Sequence, residues 1–459
     1  MIRWLVALLG LLGLTAAALY VVAGRSAPPR IVINKPDRPV GQAGSLDVTA
    51  EAPNAKFTAL TIALEQNGKS LPLFTLDAAA GAANATANKD ASVTAVDRNQ
   101  LRISRPLGKQ SVPELQSGAA RVVVTATRPS FLNLRTLTST ASKDFQVRLE
   151  PPRIAVVSTH HYVNHGGSEM VVYRATPADV ASGVRVGDVE YPGYPVSGEL
   201  KAAVFALLYD QDLNTRIQAF ARDEAGNEAK ATFVDNVFEK PQRKSRIELD
   251  DKFLNRVVPD ILEHAPELKM TAPAEGSDMM PAFLRINGEL RNINADQIAA
   301  FALKSSPTRQ WEGPFVQLGN SKVEASFADH RTYFYQGKEV DRQVHLGFDL
   351  AVTAHVPVIA ANAGTVLNAS WLGIYGNCVV LDHGMGVQSL YGHLMSFDVK
   401  VGDRVTRGQT IGRSDSTGLA GGDHLHFTML VGGRMVNPVE WWDPHWMTDR
   451  VERKLQEAR

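Results

Sequence analysis

Val356-Pro-Val-Ile-Ala-Ala361, Gly364-Thr-Val-Leu367, Asn377-Cys-Val-Val-Leu381, Val387-Gln-Ser-Leu-Tyr391 and Gln409-Thr-Ile-Gly412 decide the fold of the C-terminal third. Each stretch is short and apolar, and glycine turns separate one from the next. The chain therefore reverses too often for helices and reads as an antiparallel, all-β domain over residues 312–446. Histidine concentrates in the same region, seven of the 12 lying from His345 onward.

Five side chains in this domain carry chemistry. His345-Leu-Gly-Phe-Asp349 sets an imidazole and a carboxylate four residues apart. On a straight strand they would stand about 13 Å apart at ~3.3 Å per residue, too far for one ion. Gly347 between them permits a bend. His424-Leu-His426 is a strand pattern whose two imidazoles share one side, with Leu425 and Phe427 on the other. His393, in Tyr391-Gly-His-Leu394, completes the set. Any one of these pieces arises by chance; together they favour zinc. Two histidines plus a carboxylate leave zinc an open fourth position, as catalytic sites do. Cys378 is the only cysteine, which excludes an intrachain disulfide and multi-cysteine zinc sites. No His-Glu-x-x-His glutamate is present, so a histidine must act as base.

With Ser326-Phe-Ala-Asp-His-Arg331, Pro357-Val-Ile-Ala360, Tyr375-Gly-Asn-Cys-Val-Val-Leu-Asp-His-Gly384, Val401-Gly-Asp-Arg-Val-Thr-Arg-Gly-Gln-Thr-Ile-Gly412 and Asn437-Pro438, the stretch resembles the zinc metalloendopeptidases of the M23 family, the LytM or lysostaphin-type peptidoglycan hydrolases. The resemblance implies that His345, Asp349 and His426 hold Zn2+. It implies that His393 and His424 orient or deprotonate water and stabilise the oxyanion, with the peptide stems and cross-links of peptidoglycan as substrate. The chain departs from the family at Ala328 and Asp415, where glycine is common, and at His355, where a small residue is usual. His330 and His383 read as flanking or surface residues, His445 as packing beside Trp441 and Trp442, and Cys378 as a small buried hydrophobe.

The rest of the 459 residues divides around this domain, in line with about 150 residues per domain. Trp4 to Ala23 is an uncharged apolar run long enough to span a bilayer. Residues 1–24 are therefore expected as a transmembrane signal-anchor of the inner (cell) membrane with the remainder periplasmic. The alternative is secretion after signal cleavage near Val22-Ala23-Gly24. Residues 28–150 and 151–240 read as two immunoglobulin-like β-sandwich domains, from alternating stretches such as Arg121-Val-Val-Val-Thr-Ala-Thr127 and Thr215-Arg-Ile-Gln-Ala-Phe-Ala-Arg222 and the turn Asp223-Glu-Ala-Gly-Asn227. They suit spacing, or docking of cell-wall proteins. The alanine-rich stretch 78–91 reads as a loop, and His160, His161 and His165 as surface residues. Residues 244–305 form a helical connector, with Phe253, Val257, Val258, Ile261 and Leu262 at helical spacing behind Asp250 or Asp251 as N-cap. His264 ends this helix, and a second helical stretch follows from Met280. Residues 447–459 read as a charged tail.

Lysine plus arginine and aspartate plus glutamate each number 48, so the formal charge is zero and nucleic acid is not an expected partner. Two functions compete with an active peptidase. A non-catalytic wall-binding or hydrolase-activating relative would be expected to have lost ligands. A lipoyl-like sandwich, suggested by Val401-Gly-Asp-Arg-Val-Thr-Arg-Gly-Gln409, would need a lysine at a hairpin tip. Adjacency in the chain also suggests that the connector, or the stretch around Asn320, lies over the site.

Overall fold

Alternating apolar and polar residues along Arg121–Thr127 place one face of a strand in a core, and the strand extends over Gly118–Pro129. The structure, a computed structural model, describes residues 2–77, 91–97, 99–130, 133–274 and 276–457. The stretch 78–90 expected as a loop lies outside them. Two compact units are present: Met1–Pro152 with Arg222–Ala229, and Arg153–Ala221 with Lys230–Arg459.

In the first unit, the apolar run forms a helix, Ile2–Gly24, long and apolar enough to cross a membrane. Two four-stranded sheets follow. One contains Arg30–Lys35, Ser45–Glu51, Gln100–Pro106 and Ser92–Asp97, the other Lys69–Asp77, Ala59–Gln66, Gly118–Pro129 and Thr136–Val147. Pairing is antiparallel throughout. Leu46, Val48, Leu60, Ile62, Ile103, Val122 and Val124 fill one core between them.

The second unit begins with another antiparallel sheet, ordered Tyr194–Ser197, Leu200–Ala206, Ser168–Thr176 and Arg153–Val156. His161 is not at the surface: it is buried, bonds the Ser158 hydroxyl at 2.9 Å and meets Phe233 edge-on. Burial drives its pKa down to about 3, so it is a neutral core histidine. His160 is exposed, and His165 bonds the Gln211 carbonyl at 2.9 Å instead of a common centre.

The connector opens as a strand, not a helix. Lys244–Leu249 pairs in parallel with Asp329–Tyr335, which pairs antiparallel with Lys338–His345. Asp250 then caps the helix Asp251–Glu263, its carboxylate accepting from the Phe253 N–H at 2.7 Å. Leu254, Val257, Val258, Ile261 and Leu262 pack with Tyr333, Ile374, Tyr375, Cys378 and Leu390, so the helical segment shares a core with the sheet that follows. That sheet has ten strands, with the path Lys322–Ala325, Phe348–Ala351, His424–Val431, Val387–Phe397, Asn377–Gly384, Gly364–Trp371 and Arg404–Val405. The stretch after Asn320 is thus an edge strand of the sheet. His383 is neither ligand nor surface: it is fully buried between the Ala363 carbonyl and the Ser389 hydroxyl.

The C-terminal stretch is no free tail. Its helical turns over Met447–Glu452 and Arg453–Glu457 bring Lys454, 1% exposed, against Glu169 at 2.8 Å. A charge run seen alone reads as solvated; here its partner lies 285 residues earlier in sequence. Trp441 Nε1 reaches the Ser168 hydroxyl at 3.3 Å, and Glu440 accepts from the Ser168 N–H and the Asn164 amide, both at 2.6 Å. These ties fix the Ser168–Thr176 strand to the end of the C-terminal domain.

Candidate metal centre

His345 ends the Lys338–His345 strand, and Asp349 is the second residue of Phe348–Ala351, which belongs to the other sheet. The change of sheet supplies the bend. Gly347 serves it by leaving room: a Cβ there would stand 2.5 Å from both His426 Cε1 and Thr428 Oγ1. Asp349 pairs with His426 across the sheet. His424 and His426 share one side of their strand, while Leu425 and Phe427 are buried behind it.

Three atoms converge. His345 Nε2 lies 2.9 Å from Asp349 Oδ1 and 3.0 Å from His426 Nδ1, and His426 Nδ1 lies 3.1 Å from the same carboxylate oxygen. The remaining ring nitrogens fix the tautomers. His426 Nε2–H donates to Thr428 Oγ1 at 2.9 Å, because that hydroxyl gives its own proton to the Leu346 carbonyl at 2.8 Å. His345 Nδ1 faces the Ser326 carbonyl at 3.3 Å, an acceptor only. Each imidazole therefore turns a lone pair toward the other and toward an anionic oxygen. That arrangement is repulsive unless a cation sits among them, and the donor set fits a metal ion.

His393 and His424 stand beside this group, with ring centroids 4.8 Å apart. Both are anchored through Nδ1–H, His393 to the Thr417 carbonyl at 2.7 Å and His424 to the Gly422 carbonyl at 2.8 Å. Their Nε2 atoms are left with lone pairs, that of His424 lying 3.4 Å from Asp349 Oδ1. His393 has φ +61°, a left-handed conformation at a non-glycine residue. Burial would raise the Asp349 carboxyl, but wherever a proton rather than a metal ion lies between it and His345, His424 and His426, those imidazoles hold it well below the usual carboxylate range. Burial, with His424 and His426 adding to it, pushes His393 well down. Burial pulls His424 down as well, and Asp349 more than offsets it, leaving His424 above its ordinary value.

Arg331 and Asp329 escaped the sequence reading as site residues. Arg331 Nη2 donates to Asp349 Oδ2 at 2.9 Å, leaving Oδ1 to the imidazoles, and its Nε stands 3.5 Å from Asp329. The available signal was strand alternation, which places Asp329 and Arg331 on one side, with Asp329 paired opposite His345. The family departures also have places. Ala328 keeps a glycine-like φ of +60°, and its N–H bonds the His345 carbonyl at 2.9 Å. His355 has φ +62° and lies with Asp415 and Asp423 on the loops, where Asp423 accepts the His355 N–H at 3.0 Å. His330 bonds Gln242 at 2.6 Å, and Cys378 is buried.

The centre opens into a cleft of about 620 Å³. Phe253, Phe283, Arg291 and Ala295 of the connector form part of its wall, together with Arg246, Glu324 and Tyr375.

Residues 343–438, which hold the two histidines and the aspartate gathered at one point, match peptidase family M23. The C-terminal domain is an M23 peptidase domain. Among similar curated proteins is an uncharacterized metalloprotease of Haemophilus influenzae, 36% identical over 120 residues, which are 26% of this chain and 25% of that one. Another is the peptidoglycan DD-endopeptidase ShyA of Vibrio cholerae, 40% identical over 161 residues, 35% of this chain and 34% of that one. The catalytic domain of lysostaphin from Staphylococcus simulans is 30% identical, aligned over 28% of this chain and 96% of that one, with a TM-score of 0.24. The chain spans a quarter to a third of the length of these two curated relatives.

Proposed function

We propose that the C-terminal domain is a zinc endopeptidase that hydrolyses the peptide cross-links of cell-wall peptidoglycan. The convergence of His345 Nε2, Asp349 Oδ1 and His426 Nδ1 carries this reading. Their separations of 2.9–3.1 Å approach the ~3.3 Å between ligands of a tetrahedral zinc at about 2.0–2.1 Å. A nitrogen-rich set of this kind suits zinc better than magnesium or calcium, which take oxygen ligands. Held by His345, Asp349 and His426, zinc would supply a water of pKa about 7 and polarisation of a carbonyl.

The protein supplies the remainder. Arg331 engages Asp349 Oδ2, so the carboxylate offers a single oxygen to the centre. His424 Nε2 takes the proton of the attacking water, and the Gly422 carbonyl holds the imidazolium that forms through Nδ1–H. The proton is then passed to the leaving amine. His393, anchored through Nδ1–H to Thr417 and kept neutral by burial, presents Nε2 as an acceptor that orients the attacking water beside His424.

All five site residues are present, which disfavours a non-catalytic wall-binding role. The helix Ile2–Gly24 would hold the enzyme in the inner membrane with the bulk of the chain in the periplasm, and the β domains, read as immunoglobulin-like, would space it toward the wall. Digestion of purified sacculi by the full-length protein, with mass spectrometry of released muropeptides, tests the activity. Cleaved cross-links that vanish on chelation support it, whereas uncleaved sacculi with zinc bound contradict it. Alkaline carbonate extraction tests the anchor, since release of the intact chain would rule it out.

A further inference from the structure

Arg291 enters the cleft from outside the M23 match, on the helix Arg291–Phe301. It directly follows a π-helical turn, Ile286–Leu290. There the Arg291 N–H bonds the carbonyls of Ile286 and Gly288 and passes over that of Asn287. Arg291 Nε takes the Asn287 carbonyl instead, at 3.1 Å, and Nη2 takes the Asn287 side-chain oxygen at 2.6 Å. Single π turns inside helices are frequent at functional sites. Two neutral acceptors thus fix the guanidinium, while other donors of its five-N–H fork have no partner among the described residues.

The other arginines of the cleft differ. Arg331 meets Asp329 and Asp349, Arg246 meets Glu248, and Arg243 is exposed to water. Arg291 is half-buried and pairs with no carboxylate among the described residues. Its helix is also tied to the metal centre. Asn294 Oδ1 accepts the Ile374 N–H at 3.0 Å, and the neighbouring Tyr375 ring lies 5.3 Å from the His426 ring. A partly desolvated, pre-aimed cation beside a peptidase centre is suited to an anionic group of the substrate.

We propose that Arg291 forms a carboxylate-binding subsite, taking a free carboxylate of the acidic stem peptide whose cross-link the centre cleaves. This rests on the peptidase reading above. The fork makes charge-assisted bonds that a carboxamide cannot match, so the preference lies in substrate charge.

The test uses cross-linked stem peptides that are identical except that one carboxylate at a time is free or amidated. Wild-type full-length protein should favour one free carboxylate by about 10- to 100-fold in kcat/KM, mostly through KM. Arg291→Gln should abolish that preference by lowering kcat/KM selectively for the free-carboxylate peptide, while Arg291→Lys should keep part of it. Binding of the same peptides to metal-free protein should show the same preference in Kd. A purely structural role for Arg291 would lower both peptides equally, and that result overturns the proposal. So does a wild-type protein indifferent to amidation, or a preference that survives in Arg291→Gln. If wild type cleaves neither peptide but metal-free binding retains an Arg291-dependent preference, the peptidase reading fails and the subsite stands.

Discussion

Thr428 fixes the tautomer of His426. Its hydroxyl receives the His426 Nε2 proton at 2.9 Å and donates its own to the Leu346 carbonyl at 2.8 Å, which leaves Nδ1 unprotonated toward Asp349 and His345. Thr428→Val keeps the shape and removes the acceptor. Metal affinity should fall by about 10- to 100-fold, as for other partners that orient a ligand, with the fold intact. Competition with a metal-binding dye measures it, and unchanged affinity would remove Thr428 from this role.

Lys454 and Glu169 form a buried pair, 1% and 0% exposed. Removing Lys454 leaves the buried Glu169 only Arg450, 3.7 Å away, as a cation, at a cost of up to about 3–5 kcal/mol. Lys454→Met should therefore destabilise strongly, and Glu169→Gln with Lys454→Met should recover much of the loss. Urea denaturation of the three proteins decides this. A neutral Lys454→Met would return residues 447–459 to the role of a solvated tail.

Burial pushes the Glu440 carboxyl up to about 7. The folded protein then binds a proton more tightly than the unfolded chain, whose glutamate titrates near ~4.3. Stability contributed by protonated Glu440 is complete below that value and declines as pH rises to about 7, by at most about 4 kcal/mol. Melting temperature should fall between about pH 4 and 7, and Glu440→Gln should flatten the profile. An unchanged slope in the variant would assign the pH dependence to other groups.

Ala328 sits at φ +60°, where an L-residue pays about 1 kcal/mol that glycine does not. Ala328→Gly should stabilise by about 0.5–1 kcal/mol without changing metal content. Chemical denaturation checks it, and a destabilised variant would show that the buried methyl outweighs the backbone term.

The parts of this architecture that follow local periodicity were legible in the sequence. The two-residue period of His424-Leu-His426 places both imidazoles on one side, and Asp250 caps the connector helix as its position suggests. What was hidden depends on distant partners. Gly347 reads as a hinge, yet its constraint is the His426 ring arriving from another strand. His161 reads as exposed until Ser158 and Phe233 close over it. Lys454 reads as solvated because Glu169 lies in a different part of the chain. Arg331 ends the Ser326–Arg331 motif, but its engagement with Asp349 emerges only when two sheets meet. Lys244–Leu249 lacks a helical pattern of its own and takes its strand form from pairing with Asp329–Tyr335.

In the proposed mechanism three residues hold zinc and two act on water, and zinc content measured beside cross-link cleavage in all five alanine variants tests that division of labour most directly. His345→Ala, Asp349→Ala and His426→Ala should lose zinc and activity together. His393→Ala and His424→Ala should keep about one zinc per chain and lose roughly 10²- to 10³-fold in cleavage rate. A His393→Ala protein without zinc, or a His345→Ala protein with full zinc and full activity, would contradict the assignment.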